Sequence, residues 1–508
     1  MAVFVACAAG DAQYCWSNME RATTQKSRTR VFVGAYFLKD HTVGDRERMS
    51  EKIEIWGVKD PNISAQLAVA DLMGLFQHEV GLDVTCKFLE SGTTMPGDVL
   101  SAEKKPFAFT QTPITCIILH EKGLPTKLVA PLADIAGTQQ VIIREASAIE
   151  KPSDLEGKQI GMAQGAAVFI AIKNMSKDCN VNLDNVQFTH LLPHDQLAAF
   201  SDEKLDALAC WEPWTTKAQT MGGKFFFSGS RSEIPNMEGD VNWLVNQSCL
   251  IIPDDHLAQK PEVALAVIKV LKKATELINN QRKDISKLLA DFYGISRLEL
   301  MMAMQKNRYA MDMDSLFRIG VLAFRDFLFE NQRVSKRFTE PMLYTTKYLE
   351  LVAPELVKLL APSETKVEIV EKDGIYYPSK IHFDYTNGSP LKFLLADDSR
   401  YVRIALSQAV KTIGGEVVGE ATTGSEAIEL FGQLRPNFIT MDLSMPGVSG
   451  VDAINGILQQ DPRANIIVIS GTNLDEVREE VFNLGVRMFI TKPFDPKRVA
   501  ALISSLVQ

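Results

Sequence analysis

The chain has 508 residues, 46% of them hydrophobic and 23% charged, with a formal net charge of −9. This is ordinary globular material, long enough for about three to four compact units, and its acidic balance without any basic stripe gives no support to nucleic-acid binding. Seven scattered cysteines (Cys7, Cys15, Cys86, Cys116, Cys179, Cys210, Cys249) form no Cys-x-x-Cys pair, so they read as reduced thiols, and no run reaches the eighteen or so apolar residues that cross a bilayer.

Residues 1–50 show no clean period and carry charge clusters at Gln25–Arg30 and Asp45–Arg48, which predicts a disordered leader. The apolar patch Ala2–Ala9 lacks a basic segment before it and does not read as an export signal.

From Lys52 the texture changes. Lys52–Val58 alternates as a strand, Ser64–Gln77 repeats apolar residues at helical spacing, and Asp83–Leu89 is the next strand, running into Glu90-Ser91-Gly92. Phe107–Phe109 leads to Thr110-Gln111-Thr112, and Lys127–Leu132 is a further strand. This alternation predicts a parallel α/β sheet, with Ser91, Gly92, Thr110, Gln111 and Thr112 at strand ends where ligands of such sheets bind.

A second unit of the same kind starts near Gly137. Gln140–Ile143 and Gln159–Met162 read as strands, and Ala163-Gln164-Gly165 is a glycine turn opening a helix whose free amides suit an anionic or carbonyl group. Val186–His190 and Ala207–Trp211 continue the sheet, the latter leading to Glu212-Pro213-Trp214. His190 and His194 are four apart, but Pro193 between them predicts loop histidines rather than a metal pair on one helix. The chain then returns to the first unit through expected strands at Asn242–Val245 and Leu250–Pro253, and amphipathic helices fill about 256–360. The methionines between Met301 and Met313 read as adaptable core packing.

Two α/β lobes joined by crossing strands predict a cleft that closes on a small molecule. The phrases Lys151–Lys158, Gly161–Gly165 and Asp206–Trp214 resemble the substrate-binding proteins of ABC importers, in the branch for nitrate, sulfonates, taurine and thiamine-pyrimidine precursors. The resemblance implies a bilobal binding domain over 51–360, with lobe 1 at about 51–136 and 240–360 and lobe 2 at about 137–239. It also implies a ligand that is a small anion or heteroaromatic nutrient, with Ser91, Gly92, Thr110, Gln111, Thr112, Gln164, Gly165, Trp211 and Glu212 as cleft residues. Residues 361–390 mix Pro, Gly and charge with short β-like pieces and read as a linker.

The last segment has the strongest pattern. Lys392–Ala396 is an apolar strand ending in Asp397-Asp398, and Phe438–Met441 delivers Asp442 into Leu443-Ser444-Met445-Pro446-Gly447. Asn465–Ile469 ends in Ser470, and Met488–Thr491, which contains Phe489, ends in Lys492 before a proline. Three carboxylates, a hydroxyl and an ammonium at one edge of a doubly wound sheet make a site for a hard cation and a phosphoryl group.

Residues 391–508 resemble a response-regulator receiver domain of the chemotaxis-regulator type, a doubly wound five-stranded parallel sheet. The resemblance implies Asp442 as phosphoacceptor, Mg²⁺ held by Asp397, Asp398, Asp442 and Ser444, Ser470 as switch hydroxyl, Lys492 stabilising the phosphoryl group and Phe489 as switch aromatic. Gly471 stands where the family more often has alanine. A histidine kinase is the implied phosphodonor, with no enzymatic activity beyond the receiver's own phosphoryl acceptance, in the cytoplasm. The expected function is phosphorelay signalling coupled to nutrient sensing. The alternative is an ABC-transport-related solute-binding protein carrying a regulatory receiver.

Overall fold

Among the described residues three β-sheets carry the protein, of six, seven and seven strands. This computed structural model describes residues 52–359, 367–379, 383 and 390–507; the expected leader, residues 1–50, lies outside them, as do parts of the expected linker.

In the first sheet Ile53–Val58 pairs in parallel with Val84–Leu89 on one side and Ala108–Gln111 on the other. Gln247–Pro253, buried at every position, then runs antiparallel between Ala108–Gln111 and Thr126–Asp134. In the second sheet Gln159–Met162 lies in parallel between Gln187–His190 and Ala207–Trp211. Gln139–Arg144 is antiparallel to both Ala207–Trp211 and Gly223–Ser228. Each lobe is therefore a mixed sheet rather than the all-parallel one that the alternating pattern predicts. The strand leaving each lobe returns beside its own sheet, which reverses its direction.

The two lobes are joined at Ile135–Thr138 and at 241–246. Asn242–Val245 is irregular, not a strand as its apolar run predicts. The amides of Trp243 and Leu244 both donate to the Gly229 carbonyl, at 2.9 and 3.1 Å, which turns the chain away from any ladder. A side chain at Gly229 would stand 2.7 Å from Leu244 Cβ and 2.8 Å from the Ala136 carbonyl, so glycine lets the two crossovers pass side by side. His190 ends a strand and His194 is the second residue of helix Pro193–Ser201; that helix starts at the proline, a favoured first position, so the two histidines share no helix face.

In the third sheet, Glu416–Ala421, Lys392–Ala396, Phe438–Met441, Asn465–Ser470 and Met488–Thr491 are parallel neighbours in that order. Two more strands extend it. Ile369–Lys372 and Ile375–Pro378 form a hairpin whose inner strand pairs antiparallel with Met488–Thr491. Asp373 and Gly374 turn it with φ of 56° and 77°, the left-handed pair that tight hairpins require. Part of the expected linker is thus an edge ribbon of this sheet.

Helix Ser315–Glu330 connects the bodies. Asp314 caps it, accepting from the Phe317 amide at 3.0 Å. Phe317, Val321, Phe324 and Leu328 join the core of the bilobal module, while Ile319 and Leu322 join the core of the third sheet. Around this seam Arg325 pairs with Glu476 at 2.7 Å, Arg318 pairs with Glu480, and the Ser315 hydroxyl donates to Asp452 at 3.1 Å.

Gly450 opens helix Gly450–Gln460 directly under the loop that follows Phe438–Met441. An added Cβ would land on the Asp442 carbonyl oxygen and 2.6 Å from Leu443 Cα, backbone atoms that cannot give way. Gly450→Ala is expected to destabilise the third-sheet domain by about 3 kcal/mol or more in urea unfolding, beyond an ordinary overpacking cost.

Candidate functional site

Two sites stand out. The first lies at the C-terminal edge of the third sheet, where the parallel strands end. Asp397, Asp398 and Asp442 are all buried, and their carboxylate oxygens lie within 4.8 Å of one another. Lys492 Nζ sits 2.8 Å from Asp397 and 2.8 Å from Asp442, and the Ser470 hydroxyl donates to the other Asp442 oxygen at 2.7 Å. The Ser399 amide donates to Asp397 at 2.9 Å. Ser444 flanks Asp442, its amide 3.4 Å from Asp442 Oδ1 and its hydroxyl 2.9 Å from that of Thr472.

The charges do not balance. Three carboxylates face the Lys492 ammonium. Burial lifts Asp397 to about 7, with Lys492 pulling it down and Asp442 pushing it up. Burial and the two neighbouring carboxylates push Asp398 well above the carboxylate range. Burial works against the Lys492 ammonium, yet Asp397 and Asp442 outweigh it and hold its pKa above the ordinary lysine value. A hard divalent cation fits this oxygen set, since it would supply the positive charge that Asp398 lacks.

The site opens on a cavity of about 230 Å³ lined by Asp398, Asp442, Ser444, Gly471 and Lys492 among others. Nothing lies within 4 Å of where a Gly471 side chain would begin, so this residue leaves room beside Ser470. Phe489 is fully buried, its ring 6.1 Å from that of Tyr376 in an edge-on contact, so the hairpin covers it.

The second site is the cleft between the lobes, a cavity of about 390 Å³. Gly92, Gln111, Thr112, Gln164, Gly165 and Trp211 line it as expected from position. Gln111 is held within the first lobe, donating to the Gly92 carbonyl at 3.1 Å and accepting from the Thr112 amide at 2.8 Å. Three other cleft candidates lie elsewhere. Thr110 is fully buried, and its hydroxyl is 2.6 Å from that of Ser64 behind the wall. Ser91 bonds Thr93 in its own loop, at 2.8 Å. Glu212 is buried against Lys306, its carbonyl accepting from Asn62 at 2.9 Å, so it braces the wall.

Sequence reasoning missed Asp60, Asn62, Asn246 and Arg333, all of which line the cleft. The Asp60-Pro61 pair carried a signal, being a capping residue before a first-turn proline: Asp60 accepts from the Asn62 amide at 2.8 Å and starts helix Pro61–Leu72. Asn246 is 1% exposed, and both atoms of its amide lack a hydrogen-bond partner, which leaves a donor and an acceptor for a ligand. Arg333 reaches Gly165 from the turn after Ser315–Glu330, and nothing in its sequence neighbourhood announces that.

Comparison with known proteins matches both parts. The response regulator receiver domain family matches residues 393–504, and the NMT1/THI5 like family matches residues 62–284. The chain is 39% identical over 115 residues to chemotaxis protein CheY of Thermotoga maritima, spanning 96% of that protein and 23% of this one. Among solved structures, the periplasmic aliphatic sulphonate binding protein SsuA of Escherichia coli aligns at TM-score 0.50 and 16% identity, over 64% of this chain and 97% of that one. A putative sulfonate ABC transporter's SsuA from Methylobacillus flagellatus aligns at TM-score 0.50 and 12% identity, over 62% of this chain and 99% of that one. At these identities the structural likeness speaks for the fold alone. Among the described residues no helix is long and apolar enough to cross a membrane.

Two measurements probe these sites. Lys492→Ala removes the ammonium from three buried carboxylates and should cost the domain roughly 3–5 kcal/mol in urea unfolding, with Mg²⁺ recovering part of the loss. In the cleft, burial raises Asp60 from 3.8 to about 7, the bonds from Asn62 and Ile63 opposing it and Glu212 adding to it. Such an acid holds its proton more tightly when folded, so its contribution to stability is greatest below 3.8 and declines as pH rises toward about 7. Asp60→Asn, which keeps the cap, should flatten that decline in thermal unfolding across this range.

Proposed function

Since the chain belongs to the response regulator receiver family through residues 393–504, we propose that it is a two-component signalling protein in which a histidine kinase phosphorylates Asp442. The bilobal module senses a small-molecule nutrient in the same protein, in the cytoplasm. The observation that carries the first part is the arrangement around Asp442, one oxygen 2.8 Å from Lys492 and the other 2.7 Å from the Ser470 hydroxyl.

In this reading an Asp442 carboxylate oxygen attacks the phosphorus of a phosphohistidine, and the imidazole leaves with the electrons of the broken P–N bond. Lys492 stays on the developing phosphoryl oxygens. The Ser470 hydroxyl turns from the carboxylate to the phosphoryl group, and Phe489 holds the inward position that this movement vacates. Asp397, Asp398, Asp442 and Ser444 would hold Mg²⁺, which would supply charge to offset the phosphoryl oxygens. For the cleft, the open amide of Asn246 and the guanidinium of Arg333 beside apolar Ile63, Leu100 and Ile114 support an anionic or heteroaromatic ligand.

Thermal unfolding with Mg²⁺ and beryllofluoride tests the phosphoacceptor. At a hundredfold excess over the dissociation constant the added stability is about 2.7 kcal/mol. The wild-type transition should rise accordingly and that of Asp442→Ala should not. A wild-type transition that stays in place sinks the reading.

A further inference from the structure

The cavity above Asp442 has two owners. Asp398, Asp442 and Lys492 form one wall, while the opposite wall comes from the bilobal module: helix Val168–Asp178, the crossover 241–245 and helix Ser315–Glu330. Asp178 belongs to this far wall and is held there, its carboxylate accepting from the Trp243 indole at 2.7 Å. Burial raises Asp178, Lys492 pulls it down and Asp442 pushes it up, so the two carboxylates act on each other across the seam.

The crossover also has two sides. Val241 through Val245 line the phosphoryl cavity, and the next residue, Asn246, lines the ligand cleft with its unpartnered amide. Val245 packs on the receiver core, and a side chain at Gly320 would come within 3.0 Å of it. The crossover is therefore confined between the receiver and helix Ser315–Glu330, the helix after which the chain turns to deliver Arg333 to the cleft.

We propose that the phosphoryl pocket is a composite site whose second wall is the bilobal module, and that the crossover 241–246 is a wall common to this pocket and the ligand cleft. The inference rests on Asp442 being the phosphoacceptor. A phosphoryl group brings a charge of about −1.5 to −2 into the cavity, whose far wall carries the Asp178, Asp326 and Glu330 carboxylates and the Lys173 and Lys177 ammonium groups. Asp178, hydrogen-bonded to the Trp243 indole, retreats from that charge by moving with Trp243, and Trp243 is three residues from Asn246, with Val245 between them held against the receiver core and Gly320. Occupation of the pocket is thereby felt in the cleft, and by thermodynamic linkage a cleft ligand is felt at Asp442.

Hydrogen exchange of the full chain, with and without Mg²⁺ and beryllofluoride, tests this. Segments 168–178 and 241–247 are expected to change their exchange rates by about fivefold or more, the lower end of ordinary coupling. Asp442→Ala should abolish the change, and Glu476→Lys with Glu480→Lys, which reverses the ion pairs of the seam, should confine it to residues 391–508. A wild-type response confined to 391–508 overturns the composite pocket while leaving the phosphoacceptor reading intact. No response even around Asp442 removes both. As an independent arm, Asp178→Asn should lower the half-saturating beryllofluoride concentration by about fivefold; an unchanged or higher value overturns the part given to Asp178. Retained stabilisation by beryllofluoride shows that the seam variant is folded.

Discussion

Helix Ser315–Glu330 has to be apolar on two faces, because it contributes side chains to both the bilobal core and the receiver core. Phe317, Val321, Phe324 and Leu328 face one body, Ile319 and Leu322 the other. A helix clad in apolar residues nearly all round is stable only when buried on all those sides. Its two arginines, Arg318 and Arg325, are mostly buried as well, and each meets a receiver glutamate. Removing the receiver would strand the second apolar stripe and take one carboxylate from each guanidinium, leaving Arg318 with Glu340 and Arg325 with Asp326, so the docked arrangement follows chiefly from the helix's apolar composition.

That constraint sets what surrounds Asp442. With the receiver seated on the helix, its acidic edge faces the bilobal module rather than open solvent, and the cavity beside Asp442 lies between two bodies. The electrostatics of the two sites then differ in kind. Around Asp442 an excess of buried carboxylates creates a demand for positive charge. Around Asn246 the deficit is of hydrogen-bond partners, in a cavity that mixes apolar Ile63, Leu100 and Ile114 with Asp60, Lys122 and Arg333. One site suits a metal and a phosphoryl group, the other a small polar-headed molecule.

The acidic site was legible in the sequence because each of its side chains directly follows a buried strand. An apolar run followed at once by Asp397-Asp398, Asp442, Ser470 or Lys492 places that residue at the sheet edge by the geometry of parallel strands alone. The cleft was only partly legible. Gln111 and Thr112 follow the same strand-end logic and line the cavity, but Thr110, one residue earlier, turns to the other face of its strand and bonds Ser64. Glu212 has the look of a ligand group, yet Lys306, ninety-four positions away, takes its charge. Asn242–Val245 has a strand's composition, but two amides captured by Gly229 make it a crossover.

What the sequence by itself determined is most of the local elements and the groups that follow the strands of the third sheet, since period, capping and turn chemistry act over a few residues. Only the tertiary structure decided that Arg333 reaches the cleft, that Asp178 stands across from Asp442, and that residues 369–378 add a ribbon to the receiver sheet. Each of these joins segments far apart in the chain. The information that pairs them lies in how whole faces pack, as on helix Ser315–Glu330, and no short stretch of residues contains it.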